Sequence, residues 1–243
     1  MTNLRQFLPG LGGFEFQEFL NSGQFTVPDG VELIYISGSG SGGGGQAGGT
    51  VGTATTAFGG IAGSSGASIL DFPKKVTPGQ VIGIVIGVGG IGGVGTTLNT
   101  SGNAGNPGAI GTPTSIGDIV LPPGAGGNDA LQDNAGKPPL DLDDSAHSSG
   151  VVYHGARATY PCVNKPGIEG AIGATAKQGG KGGGASLYSK GGDGGDGGTV
   201  GAPGQDGSPG SKGSGGGGGG ACYTGNLSGS GAPGGDGYAL IKW

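Results

Sequence analysis

The stretch GDGGDGGTVGAPGQDGSPGSKGSGGGGG, residues 192–219, has glycine at every third position, ten times without a break. A repeat of three is the period of the polyproline II helix, which rises ~3.1 Å per residue and makes no internal hydrogen bonds. The same period recurs at residues 102–111, 167–173 and 231–237. Each such helix has a glycine ridge where another backbone can approach closely. The repeat therefore predicts polyproline II helices packed against one another.

The length of the repeat indicates that it folds back on itself. As one rod, its 28 residues would span ~87 Å, whereas a compact domain of this size has a radius of gyration of ~18 Å. We therefore expect two or three shorter helices, with Gly215–Gly220 flexible enough to hold one reversal. A collagen-like triple helix is the alternative, but collagen needs long unbroken repeats.

Composition rules out a conventional core over most of the chain. Of 243 residues, 68 are glycine, only 11% are charged and 6% are aromatic. Disorder is the competing interpretation, but disordered chains usually carry high net charge. Here the net charge is only -5, and apolar runs stand at Val31–Ile36, Val81–Val88 and Tyr238–Trp243. These runs favour an ordered fold.

Charge and hydropathy also exclude several classes of function. The acidic balance argues against a nucleic-acid partner, which requires a basic face. No run of ~20 apolar residues is present to span a membrane, and Met1–Gly13 lacks the pattern of a secretory signal.

Strand and turn signals lie within the first 86 residues and at the C-terminal end of the chain. Gln24–Val27 and Val31–Ile36 read as a hairpin around the turn at residues 28–30. Ala67–Phe72 and Val81–Ile86 are further strands, joined by a turn at residues 75–80. Tyr238–Trp243 is a closing strand.

The predicted fold class is mostly irregular and all-β. It is a bundle of antiparallel polyproline (polyglycine) II helices with a small β element formed by the N- and C-terminal strands. Residues 1–37 form an attachment segment and hairpin. Residues 38–243 form the glycine-rich domain, which the strand 238–243 closes.

The order of several motifs resembles the glycine-rich tips of bacteriophage tail fibres. The motifs are SGQFTVPDGV (22–31), TPGQVIG (77–83), GAIGTPTSIG (108–117) and GGDGYALIKW (234–243). The architecture is similar to the polyglycine sandwich of T-even-type adhesins. The resemblance implies a protein at the distal end of a virion tail fibre, made in the host cytoplasm. Its partners would be a host receptor, either an outer-membrane protein or a surface glycan, and the fibre shaft, contacted through the N-terminal region.

The loops that interrupt the glycine period are the candidate receptor-binding surface. They span residues 128–166, 185–190 and 221–228. Tyrosine is a rigid, amphipathic anchor, and if the helices run antiparallel these interruptions can converge at one end. The candidate residues are Tyr153, Tyr160, Tyr188, Tyr223, His147, His154, Arg157, Asn226 and Leu227. Tyrosines that only cover the end of the bundle are the alternative.

No catalytic, cofactor or metal site is predicted, so we expect a protein that is not an enzyme. The acidic cluster at residues 141–144 lacks the glycine and terminal glutamate of a calcium loop. Cys162 and Cys222 could pair as a disulfide or remain reduced. An antifreeze protein is a further alternative, but the non-glycine positions of residues 192–219 do not form a uniform face.

Overall fold

The computed structural model of the chain describes residues 15–51, 57–98, 100, 105–127, 172–173, 185–198, 201–223 and 225–243. These residues contain strands, turns and long irregular segments, and no α-helix occurs among them. In chain order the strands are β1 Phe16–Phe19, β2 Gly23–Thr26, β3 Leu33–Ser39, β4 Thr50–Val51, β5 Ala57–Phe58, β6 Ser68–Lys75, β7 Val81–Val85, β8 Thr114–Ile116, β9 Ile119–Leu121, β10 Ile172–Gly173, β11 Cys222–Tyr223 and β12 Tyr238–Lys242.

Two four-stranded antiparallel sheets hold the apolar core. Sheet A has the order β1-β12-β3-β6, and sheet B has the order β2-β7-β8-β9. Their inward faces supply one buried cluster that includes Phe25, Ile36 and Ile241. The Trp243 ring lies 5.1 Å from that of Phe25 and joins the same cluster. The predicted pairing of N- and C-terminal strands is confirmed, because β12 lies between β1 and β3.

The predicted hairpin of Gln24–Val27 with Val31–Ile36 is wrong. Strand β2 pairs with β7 in sheet B, while β3 pairs with β12 and β6 in sheet A. The turn at residues 28–30 is present, with the Val31 N–H donating to Pro28 O at 3.3 Å. This turn carries the chain from sheet B to sheet A. The apolar faces of β2 and β3 are then buried, because the two strands face each other across the core.

The glycine-rich segments are held by backbone hydrogen bonds to other segments. The central segment, residues 41–49, continues directly from β3. The N–H groups of Gly42, Gly43 and Gly44 donate to three different neighbours, and the direction repeats after three residues at Gly45, Gln46 and Ala47. Three further neighbours donate to its carbonyls. The surrounding segments are residues 59–67, 87–96, 105–113, 122–127, 214–221 and 229–237, and residues 192–198 and 203–210 pack outside them.

Segments that follow one another in the chain run in opposite directions, as predicted, but parallel neighbours also occur. Residues 43 and 46 donate to residues 64 and 61 of the next glycine segment in the chain, an antiparallel arrangement. Gly90 and Gly93 donate to Gly42 and Gly45, a parallel one. Both directions occur because a segment that is surrounded on all sides also contacts segments that are not next to it in the chain. Since direction alternates along the chain, some of those segments run parallel to it.

The reversal predicted within Gly215–Gly220 is wrong. The chain turns instead at residues 201–202, where Gly201 has φ +82°, and at residues 211–213, where Lys212 has φ +41°. The repeat is thus divided into three segments, and residues 215–220 run straight through the interior. A Cβ at Gly217 would lie 2.0 Å from the Asp193 carbonyl oxygen, so these consecutive glycines provide close approach on several sides.

We expect Gly45→Ala to lower the free energy of unfolding by about 3 kcal/mol or more, because overpacking a rigid interior is costly. A Cβ at Gly45 would lie 2.0 Å from the carbonyl oxygen of Gly217, which is a backbone atom and not the end of a flexible side chain. The matched control is Gly83→Ala in β7, whose Cβ meets nothing within 4 Å. Urea unfolding of both variants measures the difference, and equal stabilities would contradict the close-packed interior.

Candidate functional site

The bundle has two unlike ends. The central segment leaves β3 at one end and reaches β4 at the other. Strands β7, β8, β9 and β12 likewise adjoin the glycine segments at the end where β3 lies. We call this end, which carries sheets A and B, the sheet end. The opposite end carries connections between segments, and we call it the loop end.

Residues 221–223 and 225–228 lie at the loop end, and we call them the distal loop. Cys222 N–H donates to Gly49 O at 3.0 Å on one side, and Ser228 N–H donates to Thr96 O at 3.0 Å on the other. Within the distal loop, Asn226 N–H donates to Tyr223 O at 3.1 Å, and Gly225 has φ +92°. Both ends of the distal loop are therefore anchored to the glycine segments.

The distal loop presents one exposed apolar side chain beside two partly buried polar ones. Leu227 is 53% exposed, while Tyr223 and Asn226 are half-buried. Leu98 is a further exposed side chain of the loop end, at 75%. Sequence reasoning missed it, although a lone leucine three residues after Gly95, at the end of a glycine-rich run, was the available signal. The anchor between Ser228 and Thr96 brings the Leu227 and Leu98 regions to the same end.

Cys222 is a buried residue of β11, at the base of the distal loop. Its thiol donates to Asn226 O at 3.2 Å, and burial raises its pKa, so the reactive thiolate is disfavoured. The thiol is free in this structure. Cys162 lies outside the described residues, so the disulfide stays a prediction.

Tyr188 lies at the sheet end, away from Tyr223. Its phenol donates to the carbonyl of Ile69 in β6, and its ring centroid lies 4.7 Å from that of Tyr238. Burial raises the pKa of Tyr188 to about 12. The structure thus does not bring these two tyrosines to one end, because the loop of residues 185–190 packs beside sheet A.

A lysine connects the turn at residues 211–213 to the region around Tyr188 and Tyr238. Lys212 Nζ lies 2.9 Å from Glu18 Oε1 and 4.5 Å from the centre of the Tyr238 ring. The contact joins a glycine segment to β1 and β12. Tyr188 and its surroundings therefore connect the bundle to sheet A.

Asp71 is a strained, charged residue beside this connection. Its φ is +48°, a conformation that Asp and Asn adopt more readily than most residues. Ser37 Oγ donates to Asp71 Oδ1 at 3.0 Å, and Lys242 Nζ lies 2.7 Å from the same oxygen. The hydrogen bond from Lys242 lowers the pKa of Asp71 below its ordinary value of 3.8.

We expect the stabilisation by this pair to depend on pH. Because the folded pKa is depressed, the contribution is present above the ordinary value of 3.8 and is lost as pH falls through the folded pKa, over roughly pH 5 to 1. Asp71→Asn should lower Tm at pH 7 and converge with the wild type near the acid end. Thermal unfolding across this range measures the difference. A constant gap in Tm would contradict a role for the charge.

Five predicted site residues lie outside the described residues: Tyr153, Tyr160, His147, His154 and Arg157. Their role stays a prediction. Residues 122–127, the described segment before them, run parallel to the central segment and toward the loop end.

Among the described residues, no cluster of three or more His, Cys, Asp or Glu side chains could hold a metal ion. No helix in the described part of the chain has the length and hydropathy needed to cross a membrane.

Residues 20–243 match the model of a protein family described as Glycine-rich domain. The match extends over far more than half of the chain, so the protein belongs to this glycine-rich domain family. No characterised protein matches the sequence significantly.

Proposed function

We propose that this member of the glycine-rich domain family is the receptor-binding tip of a bacteriophage tail fibre. The observation that carries the proposal is the polarity of the bundle. Its sheet end holds the apolar core and the paired terminal strands, and its loop end holds the anchored distal loop. A protein that is fixed at one end and binds at the other requires such a division.

We infer that the glycine segments are polyglycine II helices. In the central segment, three successive N–H groups point to three neighbours and the pattern repeats after three residues. This is the symmetry of a helix with three residues per turn. At ~3.1 Å per residue, the central segment would span about 28 Å. The sheet end and the loop end would then be held this far apart.

Backbone dihedral angles test this inference. Residues 42–48 should have φ near -75° and ψ near +145°, the polyproline II values, because the threefold hydrogen bonding requires them. NMR chemical shifts of the backbone measure these angles in solution. Values near the antiparallel β region, with φ about -140°, would contradict polyglycine II.

The rigid bundle suits a role in host recognition. The distal loop is held at both ends by backbone hydrogen bonds, so side chains between them can change without loss of the bundle. A longer loop also destabilises the fold only slightly, since doubling the loop length raises the free energy of loop closure by only ~0.6 kcal/mol. Receptor specificity could thus vary while the scaffold stays constant.

The same contacts argue against a collagen-like protein. Collagen winds three extended chains about a common axis. Here the neighbours of the central segment come from the same chain, and residues 59–67, 105–113 and 229–237 run antiparallel to it.

We further propose that the chain is not an enzyme and that its N-terminal region contacts the fibre shaft.

We expect the double substitution Tyr223→Ala with Leu227→Ala to weaken adsorption to host cells about tenfold or more, because lost interface anchors cost over 1 kcal/mol each. Binding of the labelled full chain to a panel of bacterial strains is the measurement. The control is Leu70→Ala at the sheet end, with 49% exposure against 53% for Leu227.

Thermal unfolding separates recognition from stability in this experiment. Lost adsorption with an unchanged Tm supports binding by the distal loop. Full adsorption by the double variant, or equal loss in the Leu70→Ala control, would overturn the assignment.

A further inference from the structure

Among the described residues, one side of the structure is almost free of charge. Residues 81–127 contain a single charged residue, Asp118, and Lys74 forms a salt bridge with it. This part of the chain supplies β7, β8 and β9 and the segments of residues 87–96, 105–113 and 122–127. Sheet B and these segments lie together on one side of sheet A and the central segment.

Apolar side chains project from this side at a regular spacing. Val88, Ile91 and Val94 recur every third residue and are exposed, Ile91 to 72%. Their outward direction follows from the hydrogen bonds, because Gly90 and Gly93 between them donate to the central segment. The neighbouring segment is hydrogen-bonded alongside, with Ala109 N–H donating to Ile91 O at 2.8 Å, and exposes Ile110.

The same apolar surface continues onto sheet B. The outward residues of β7 and β9 are exposed valines, while Ile82 and Ile84 between them face the core. We call the whole surface the uncharged stripe, and it consists of Val81, Val85, Val88, Ile91, Val94, Ile110 and Val120. Asp236, which accepts the Gly89 N–H at 2.9 Å, borders it as part of a polar rim.

The charge of the bundle lies on another side. The outer segments, residues 192–198 and 203–210, carry Asp193, Asp196 and Asp206 and pack against residues 214–221. The chain has a net charge of -5. Two copies that met through the acidic side would repel each other, whereas contact through the uncharged stripe brings no like charges together at its centre.

The size and period of the uncharged stripe also fit a second copy. From Val81 to Val94 it runs about 42 Å at the rise of extended backbone, and three neighbouring chains make it about 15 Å wide. The resulting area is on the order of 600 Å², at the lower end of the ~600–1,000 Å² that each partner contributes to a standard interface. Side chains three residues apart leave gaps of ~9 Å, which an identical row can fill.

We propose that two copies of this chain associate through the uncharged stripe, with Val88, at the middle of the stripe, near a twofold axis. Such an interface is isologous, since the same patch serves both subunits. Antiparallel rows of Val85, Val88 and Ile91 interdigitate across the axis. The proposal does not depend on receptor binding, because the stripe lies along the side of the bundle and not on the distal loop.

Sedimentation equilibrium of the full chain tests the proposal. The wild type should sediment at twice its mass of 22.8 kDa. Ile91→Asp should raise the dimer dissociation constant about 30-fold or more, the effect of losing a hot spot. The control is Leu33→Asp, at a position 42% exposed on the outer face of sheet A, where association should be unchanged.

Far-ultraviolet circular dichroism and Tm show that both variants keep the fold. A wild type that stays monomeric at high micromolar concentration would overturn the proposal. So would an Ile91→Asp variant that still dimerises with the wild-type dissociation constant, or equal loss of association in both variants.

Discussion

The close approach of one backbone to another is the constraint on which the structure depends. A Cβ at Gly42 would lie 1.9 Å from the Ser214 carbonyl oxygen, and one at Gly60 would lie 1.9 Å from the Gln46 carbonyl oxygen. Only glycine permits such contact, although it loses more conformational entropy on folding than any other residue. Hydrogen bonds between segments, such as Gly42 N–H to Gly235 O at 2.8 Å, oppose that loss. The bundle therefore replaces a side-chain core with a network of peptide groups.

The network of hydrogen bonds between glycine segments ends in two ways. At the sheet end its segments continue into strands, and a conventional apolar core between the sheets closes the molecule. Along the sides, side chains replace missing neighbours: Asp236 accepts the Gly89 N–H, and Ser228 Oγ accepts the Thr96 N–H. These contacts satisfy backbone donors that would otherwise be exposed, much as β-sheets protect their edge strands.

The arrangement places three features in different parts of the molecule. Tyr188 and Lys212 join the bundle to sheet A, the distal loop presents Leu227 at the opposite end, and the uncharged stripe lies along one side. Because the peptide network is rigid, a change at one of these places need not disturb the others. A tail fibre tip that varies its specificity on a constant scaffold would benefit from that independence.

The sequence by itself determined the local features: a period of three that excludes α-helix, strands that begin at Val81 and at Tyr238, and a turn at residues 28–30. It also placed the residues of the distal loop outside the glycine repeat. Tertiary structure alone decided that β2 and β3 belong to different sheets, that Gly215–Gly220 crosses the interior, and that Tyr188 packs on Tyr238. The reason is physical: period and turn chemistry act between residues close in the chain. Partner choice depends instead on which distant surfaces bury each other, and a glycine run looks the same whether it bends or is enclosed on every side.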